Sequence, residues 1–143
     1  MKRRTPRLLL APLLLGLPMP SPAAPADPQL TVELAARPLQ PAPDEGWARA
    51  SAGAGRIAVE GALPTPTPCY TLTGEAGREG RVVTLAVQAR AQEGGCIQMI
   101  AGFAYDAVVR GVPPGRYTLR VAHTYAGTGW DTRRVLEQEI EVR

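Results

Sequence analysis

The chain has 143 residues, with sixteen Lys and Arg against thirteen Asp and Glu, two cysteines, one histidine, 15 glycines and 15 prolines. That length suits a leader followed by one domain with a modest core. Four of the basic residues are Lys2, Arg3, Arg4 and Arg7, whereas every acidic residue lies at Asp27 or beyond. From Asp27 onward twelve basic residues face thirteen acidic ones, a net charge of minus one, and this balance excludes the basic footprint that binding to nucleic acid or anionic lipid requires.

Residues 8–17 form an apolar run directly after those four charges, and small residues and prolines follow. This is the order of a secretory signal peptide. The run is shorter than the roughly 20 residues of a membrane-spanning helix. Ala24-Pro25-Ala26 supplies a cleavage signal that places the mature start at Asp27, with a cut after Ala24 as the alternative. No cysteine lies near either site, so a lipid anchor is not expected. Arg3-Arg4 could be read as a twin-arginine signal, but its surroundings fit poorly and Sec export is the plainer expectation. The expected division is a signal peptide over 1–26, a short strand with a Pro/Ala/Gly-rich loop over 27–55, and a β-sandwich body over 56–143. A secreted or periplasmic location follows, with no membrane span after cleavage.

Leu30, Val32 and Leu34 alternate with polar residues, which predicts a short half-buried strand. Residues 37–55 are dense in Pro, Ala and Gly and read as a long loop or partly disordered linker, with Trp47 as its pin to the body. Ile57, Val59 and Leu63 share one face of the next strand. It is expected to stop at Pro64-Thr65-Pro66-Thr67-Pro68, an extended connector whose prolines cannot donate to a ladder. Residues 69–73 resume as a strand, residues 74–80 carry turn chemistry, and residues 81–90 return with Val83, Leu85, Val87 and Ala89 on one face. A hairpin centred near 78 and 79 pairs Cys69 near Gln88, and Glu93-Gly94-Gly95 then turns the chain so that Cys96 starts its strand at the same end.

Residues 97–101 and 103–110 read as one long strand, or two strands, meeting at Gly102, where a bulge is expected. Pro114 then Gly115 suits the centre of a type II turn, and residues 116–125 answer it with Tyr117, Leu119, Val121, His123 and Tyr125 on one face. Residues 127–131 form a glycine-rich loop tipped by Trp130. The last strand, 135–142, turns Leu136, Ile140 and Val142 inward and Glu137, Glu139 and Glu141 outward, a charged guard against edge pairing. Seven or eight strands without helical period predict an all-β, antiparallel sandwich.

Two cysteines in an exported chain, spaced unlike a C-x-x-C motif, predict a Cys69–Cys96 disulfide. Closing about 28 residues restricts the unfolded chain by about 3–4 kcal/mol in the chain-entropy picture. Val112-Pro113-Pro114-Gly115-Arg116-Tyr117-Thr118-Leu119-Arg120-Val121 resembles the hairpin pattern of prealbumin-like and immunoglobulin-like sandwich modules of exported bacterial proteins. The resemblance covers about 15 residues; it implies a sandwich and brings no catalytic residues with it.

Chemistry is sparse. Beyond the leader there is one serine, Ser51, in a loop without a nucleophile motif, and one histidine, His123, within an apolar alternation that suits a core position. With the cysteines paired, no set of His and Cys remains for a transition metal, and alternate glutamates on a straight strand do not converge on calcium. No phosphate-binding loop opens a helix. The expectation is therefore a non-enzymatic chain without a cofactor. It is either a binding or structural module that meets an envelope or extracellular protein or glycan, or a small protease inhibitor using the stiff 64–68 segment. Candidate binding residues are Trp130, Arg133, Arg134, Tyr125 and His123, for the aromatic and Arg composition of interface hot spots; the alternative for Trp130 is a cap folded over the sandwich end.

Overall fold

The computed structural model describes residues 30–143, so the expected signal peptide and its cleavage sites lie outside the described residues. Eight strands follow one another: β1 (Thr31–Pro38), β2 (Trp47–Gly53), β3 (Arg56–Thr65), β4 (Tyr70–Glu79), β5 (Val82–Ala91), β6 (Ala101–Arg110), β7 (Gly115–Ala126) and β8 (Arg133–Val142). They build two four-stranded sheets in the orders β1-β6-β3-β2 and β4-β5-β7-β8. Every pairing is antiparallel except β5 with β7, which run parallel.

The sheets are held face to face by their period-two inner faces. Ile57, Val59 and Leu63 of β3 and Phe103, Tyr105, Ala107 and Val109 of β6 meet Val83, Leu85, Val87, Leu119 and Val121 of β5 and β7 in one core. Strands central to each sheet bring most of the bulky residues; of the edge strands, β1 and β2 contribute smaller or half-buried ones such as Val32, Ala48 and Ala50, while β4 and β8 add Tyr70, Leu72, Ile140 and Val142. Burial of apolar surface at about 25 cal/mol per Å² is thus concentrated along the middle of the sandwich.

Residues 37–55 are more regular than their composition predicts. β1 runs to Pro38, and β2 pairs along its whole length with β3 through a turn at Ala54 and Gly55, the latter at φ 65°. The inward residues of β2 are Ala48, Ala50 and Ala52, so its alternation carries almost no hydropathy signal. Because β1 and β2 are opposite edges of one sheet, the 39–46 connection crosses over the end of β6 and β3. Pro43 and Ala42 pack so closely on Gly102 that a Cβ there would stand 2.7 Å from Pro43 Cδ. β6 passes through Gly102 as a continuous strand.

The β4–β5 hairpin is longer than predicted. Residues 74–79 stay in β4, and the turn is Gly80-Arg81, with Gly80 at φ 57°. Gly74 marks a close approach, because a Cβ there would lie 2.8 Å from Val32 Cγ1 of the facing sheet. The register places Tyr70 opposite Ala91, so Cys69 neighbours Gln92, not Gln88, and the Gln92 N–H donates to the Cys69 carbonyl at 2.9 Å. The disulfide forms between Cys69 and Cys96, with Cα atoms 6.2 Å apart, because residues 92–95 carry Cys96 back over that end.

Two further segments differ from expectation. Residues 97–100 are not strand. The 111–114 segment is a crossover between sheets and not a hairpin, since β6 and β7 belong to different sheets. Tyr117 locks this crossover by donating its hydroxyl to the Pro113 carbonyl at 2.7 Å. The Gly111 and Val112 N–H groups donate to the Gly55 carbonyl.

The registers sort the connections into two ends. One end has the short links 54–55, 80–81 and 111–114; the other gathers the longer segments 39–46, 66–69, 92–100 and 127–132. The second is called the loop end below.

Candidate functional site

Tyr125 and Trp130 come together at the loop end. Tyr125 lies near the end of β7, its side chain on the inner face, and its hydroxyl donates to the Pro64 carbonyl of the other sheet at 2.7 Å. The Trp130 ring meets it edge-on, with centroids 5.2 Å apart and planes at 67°, the geometry favoured by aromatic quadrupoles. Thr128 Oγ1 accepts from the Trp130 N–H at 2.9 Å and fixes the loop beneath the ring. Trp130 therefore both caps the sandwich end and keeps 37% of its surface in solvent.

Arg133 opens β8 close enough to Tyr125 for its charge to act on the phenol. Burial raises the Tyr125 pKa, Arg133 opposes that rise, and the neighbouring Tyr70 adds to it. Arg134 is placed elsewhere. It sits opposite Ala122 on the outer face of its sheet and pairs with Glu137 at 2.8 Å, beside an Arg120–Glu137 pair at 3.3 Å. Hydrogen bonds from Arg120 and then Arg134 hold the Glu137 carboxyl below its ordinary value.

His123 does not join the surface group. It is 1% exposed, and its Nε2 lies 2.8 Å from the Tyr105 hydroxyl in a hydrogen bond that joins the two sheets through the core. Two glycines make room for the pair: a Cβ at Gly46 would stand 2.6 Å from His123 Nδ1, and one at Gly61 would stand 2.5 Å from the Tyr105 hydroxyl. His123 Nδ1 has no hydrogen-bond partner among the described residues. An imidazolium would bury two donors against one partner, and burial lowers the ring's pKa to about 4. Burial raises the Tyr105 phenol in turn. A neutral, sealed imidazole has no path to a substrate, so this pair is a structural strut.

No match to this chain emerges from family models, curated proteins or solved structures.

Metal and pocket chemistry add little. Among the described residues no three His, Cys, Asp or Glu side chains are placed to hold a metal ion. A broad depression of about 530 Å³ lies on the outer face of the first sheet, over Ser51, Ala58 and Val108. Its rim is a row in which Asp106 and Glu60 stand opposite each other on β6 and β3. Each is met from an edge strand, Asp106 by Arg37 at 2.8 Å and Glu60 by Arg49. Each carboxylate of the row is thus paired with an arginine of the neighbouring edge strand.

Sequence reasoning missed a different group. Ile97, Met99 and Ile100 are 64%, 53% and 63% exposed in a segment expected to be strand. Met99 and Ile100 are consecutive, so one of them breaks any two-residue alternation. That break was the signal available.

Proposed function

We propose that this chain is an exported, non-catalytic binding or structural module of the cell envelope, secreted or periplasmic, that meets its partner through the loop end. The observation that carries the reading is the contrast between the two aromatic pairs. Tyr105–His123, the pair with titratable chemistry, is sealed in the core. Tyr125–Trp130 is braced at the surface by backbone hydrogen bonds. A preorganised, partly exposed tryptophan on loops held by a rigid sandwich suits recognition. The intramolecular disulfide is compatible with an oxidising location.

The Tyr117 hydroxyl bonded back to Pro113 after a crossover between sheets is the geometry of a tyrosine corner, a device of immunoglobulin-like sandwiches. It supports a module of that kind, while the parallel β5–β7 pair departs from the all-antiparallel layout of those domains. The inhibitor reading of 64–68 has less to stand on. Pro64 and Thr65 belong to β3, and Thr65 is buried and donates its hydroxyl to the Thr67 carbonyl.

The test is co-purification of envelope proteins with the full oxidised chain and with Trp130→Ala. Loss of a reproducible partner in the variant, with folding intact by near-ultraviolet circular dichroism, supports the module reading; an identical partner set removes Trp130 from it. Micromolar inhibition of a secreted protease by the purified chain would restore the inhibitor reading.

A further inference from the structure

The exposed large hydrophobic residues among those described are Trp47, Ile97, Met99, Ile100 and Trp130, and all of them lie at the loop end. Trp47, the first residue of β2, stands opposite Ala62 near the end of β3, but it turns to the outer face of the first sheet, where the Arg49 guanidinium lies 5.7 Å from its ring centroid. Ile97, Met99 and Ile100 sit in the 92–100 segment, and Trp130 in 127–132. A monomeric protein normally scatters such residues over its surface, and the gathering of four of them in two connections at one end marks an interaction site. The outer faces of both sheets, by contrast, carry mainly small and polar side chains.

The 92–100 segment is exposed yet held. Cys96 is tied to Cys69, and the Gln92 N–H donates to the Cys69 carbonyl. Within the segment the Met99 N–H donates to the Ile97 carbonyl at 3.1 Å. A disulfide at its base reduces the ordering entropy that an apolar loop would otherwise lose on binding. Aliphatic and thioether side chains presented this way have the composition of an interface centre, with Trp130 as a hot-spot residue.

Charge identifies the partner. The four loop-end connections carry Asp44, Glu45, Glu93 and Asp131, and no Lys or Arg. The nearest cations stand at strand ends. Of these, Arg37 and Arg134 are already paired with Asp106 and Glu137, while Arg90, which reaches the neutral Gln88, and Arg133, beside Tyr125, are outnumbered by the four carboxylates. Three separate loops at this end thus contribute four carboxylates and no cation.

That excess of carboxylates selects among occupants. An anionic membrane would be repelled by the four carboxylates. A second copy docked through the same face about a two-fold axis would set the same four carboxylates against one another.

We infer that the loop end, centred on Ile97, Met99, Ile100 and Trp130, is a docking surface for a basic protein segment that places aliphatic side chains on this apolar centre and Lys or Arg against Asp44, Glu45, Glu93 and Asp131. The inference rests on the module reading above and names the surface and the partner chemistry for it.

The experiment uses the full oxidised chain and three synthetic peptides of equal length, alternating Leu with Arg, Leu with Glu, and Gly with Arg. Binding is read by calorimetry and tryptophan fluorescence. The Leu/Arg peptide binds, at least about tenfold more tightly than either of the others, and its affinity falls as salt rises. The triple variant Ile97→Ser, Met99→Ser, Ile100→Ser weakens that binding about tenfold or more and unfolds at the wild-type temperature, since these side chains are exposed. Equal binding of the Leu/Glu or Gly/Arg peptide overturns the inference. So does unchanged affinity in the triple variant, concentration-dependent dimerisation through this face, or preferential binding to vesicles of anionic phospholipid. If the peptides fail while an envelope partner still co-purifies in a manner sensitive to Trp130→Ala, the surface or its partner chemistry is wrong and the module reading stands. If neither binds, both fall.

Discussion

Acidification should destabilise this protein through one residue, and the size of the effect follows from the core. His123 is buried beside Tyr105 with a pKa lowered from 6.5 to about 4 by desolvation. Its folded value lies below its unfolded value, so as pH falls the unfolded chain takes up the proton first. Stability is therefore untouched by this group at neutral pH, declines from about pH 6.5, and levels off near pH 4. The full gap corresponds to about 3 kcal/mol, of which about 2 kcal/mol is lost between pH 7 and pH 5. For a domain of this size that is a large fraction of the total.

Urea unfolding followed by near-ultraviolet circular dichroism at pH 7 and pH 5 measures this directly. The double variant Tyr105→Phe, His123→Leu provides the control. Replacing both partners of a buried hydrogen bond by apolar groups of similar shape changes stability little, and it removes the titrating group. Its loss between the two pH values should shrink to the part contributed by carboxylates. A wild-type protein equally stable at pH 7 and pH 5, or a double variant with the same loss as wild type, would refute the reasoning.

Four more outcomes are expected. Reduction of Cys69–Cys96, or Cys69→Ser with Cys96→Ser, should lower unfolding stability by about 3 kcal/mol, seen as a lower thermal midpoint with and without reductant. Gly61→Ala should destabilise by about 1–3 kcal/mol, because its Cβ would lie 2.5 Å from both the Tyr105 hydroxyl and the Trp47 carbonyl. Gly77→Ala, with nothing within 4 Å of the added carbon, should be neutral or slightly stabilising in the same denaturation assay. Tyr117→Phe should lose about 1 kcal/mol with the bond to Pro113, and should leave the Leu/Arg peptide affinity unchanged, because Tyr117 lies at the opposite end.

Much of the sandwich was legible one strand at a time. Where inward residues are large, as at Val83, Leu85, Val87 and Ala89 or Tyr117, Leu119 and Val121, alternation reports the buried face directly. β2 was invisible for the converse reason, its inner face being alanine. The extension of β4 through Gly74 and Gly77 was hidden because glycine reads as a turn signal, whereas Gly74 is there to admit Val32. Within the candidate site, the composition of 127–134 pointed to Trp130 and Arg133, while Arg134 and His123 share that stretch or that strand without sharing its surface.

By itself, then, the chain's composition and period determined an all-β sandwich and the pairing of its two cysteines, because these depend on residue type and on spacing along single strands. Only the tertiary structure decided that β5 and β7 run side by side in parallel, that the inward-facing His123 finds Tyr105 of the other sheet as its partner, and that Ile97, Met99 and Ile100 stay exposed at the same end as Trp130. Those facts depend on which strands become neighbours and which end each connection reaches, and no local pattern encodes a relation between segments so far apart in the chain.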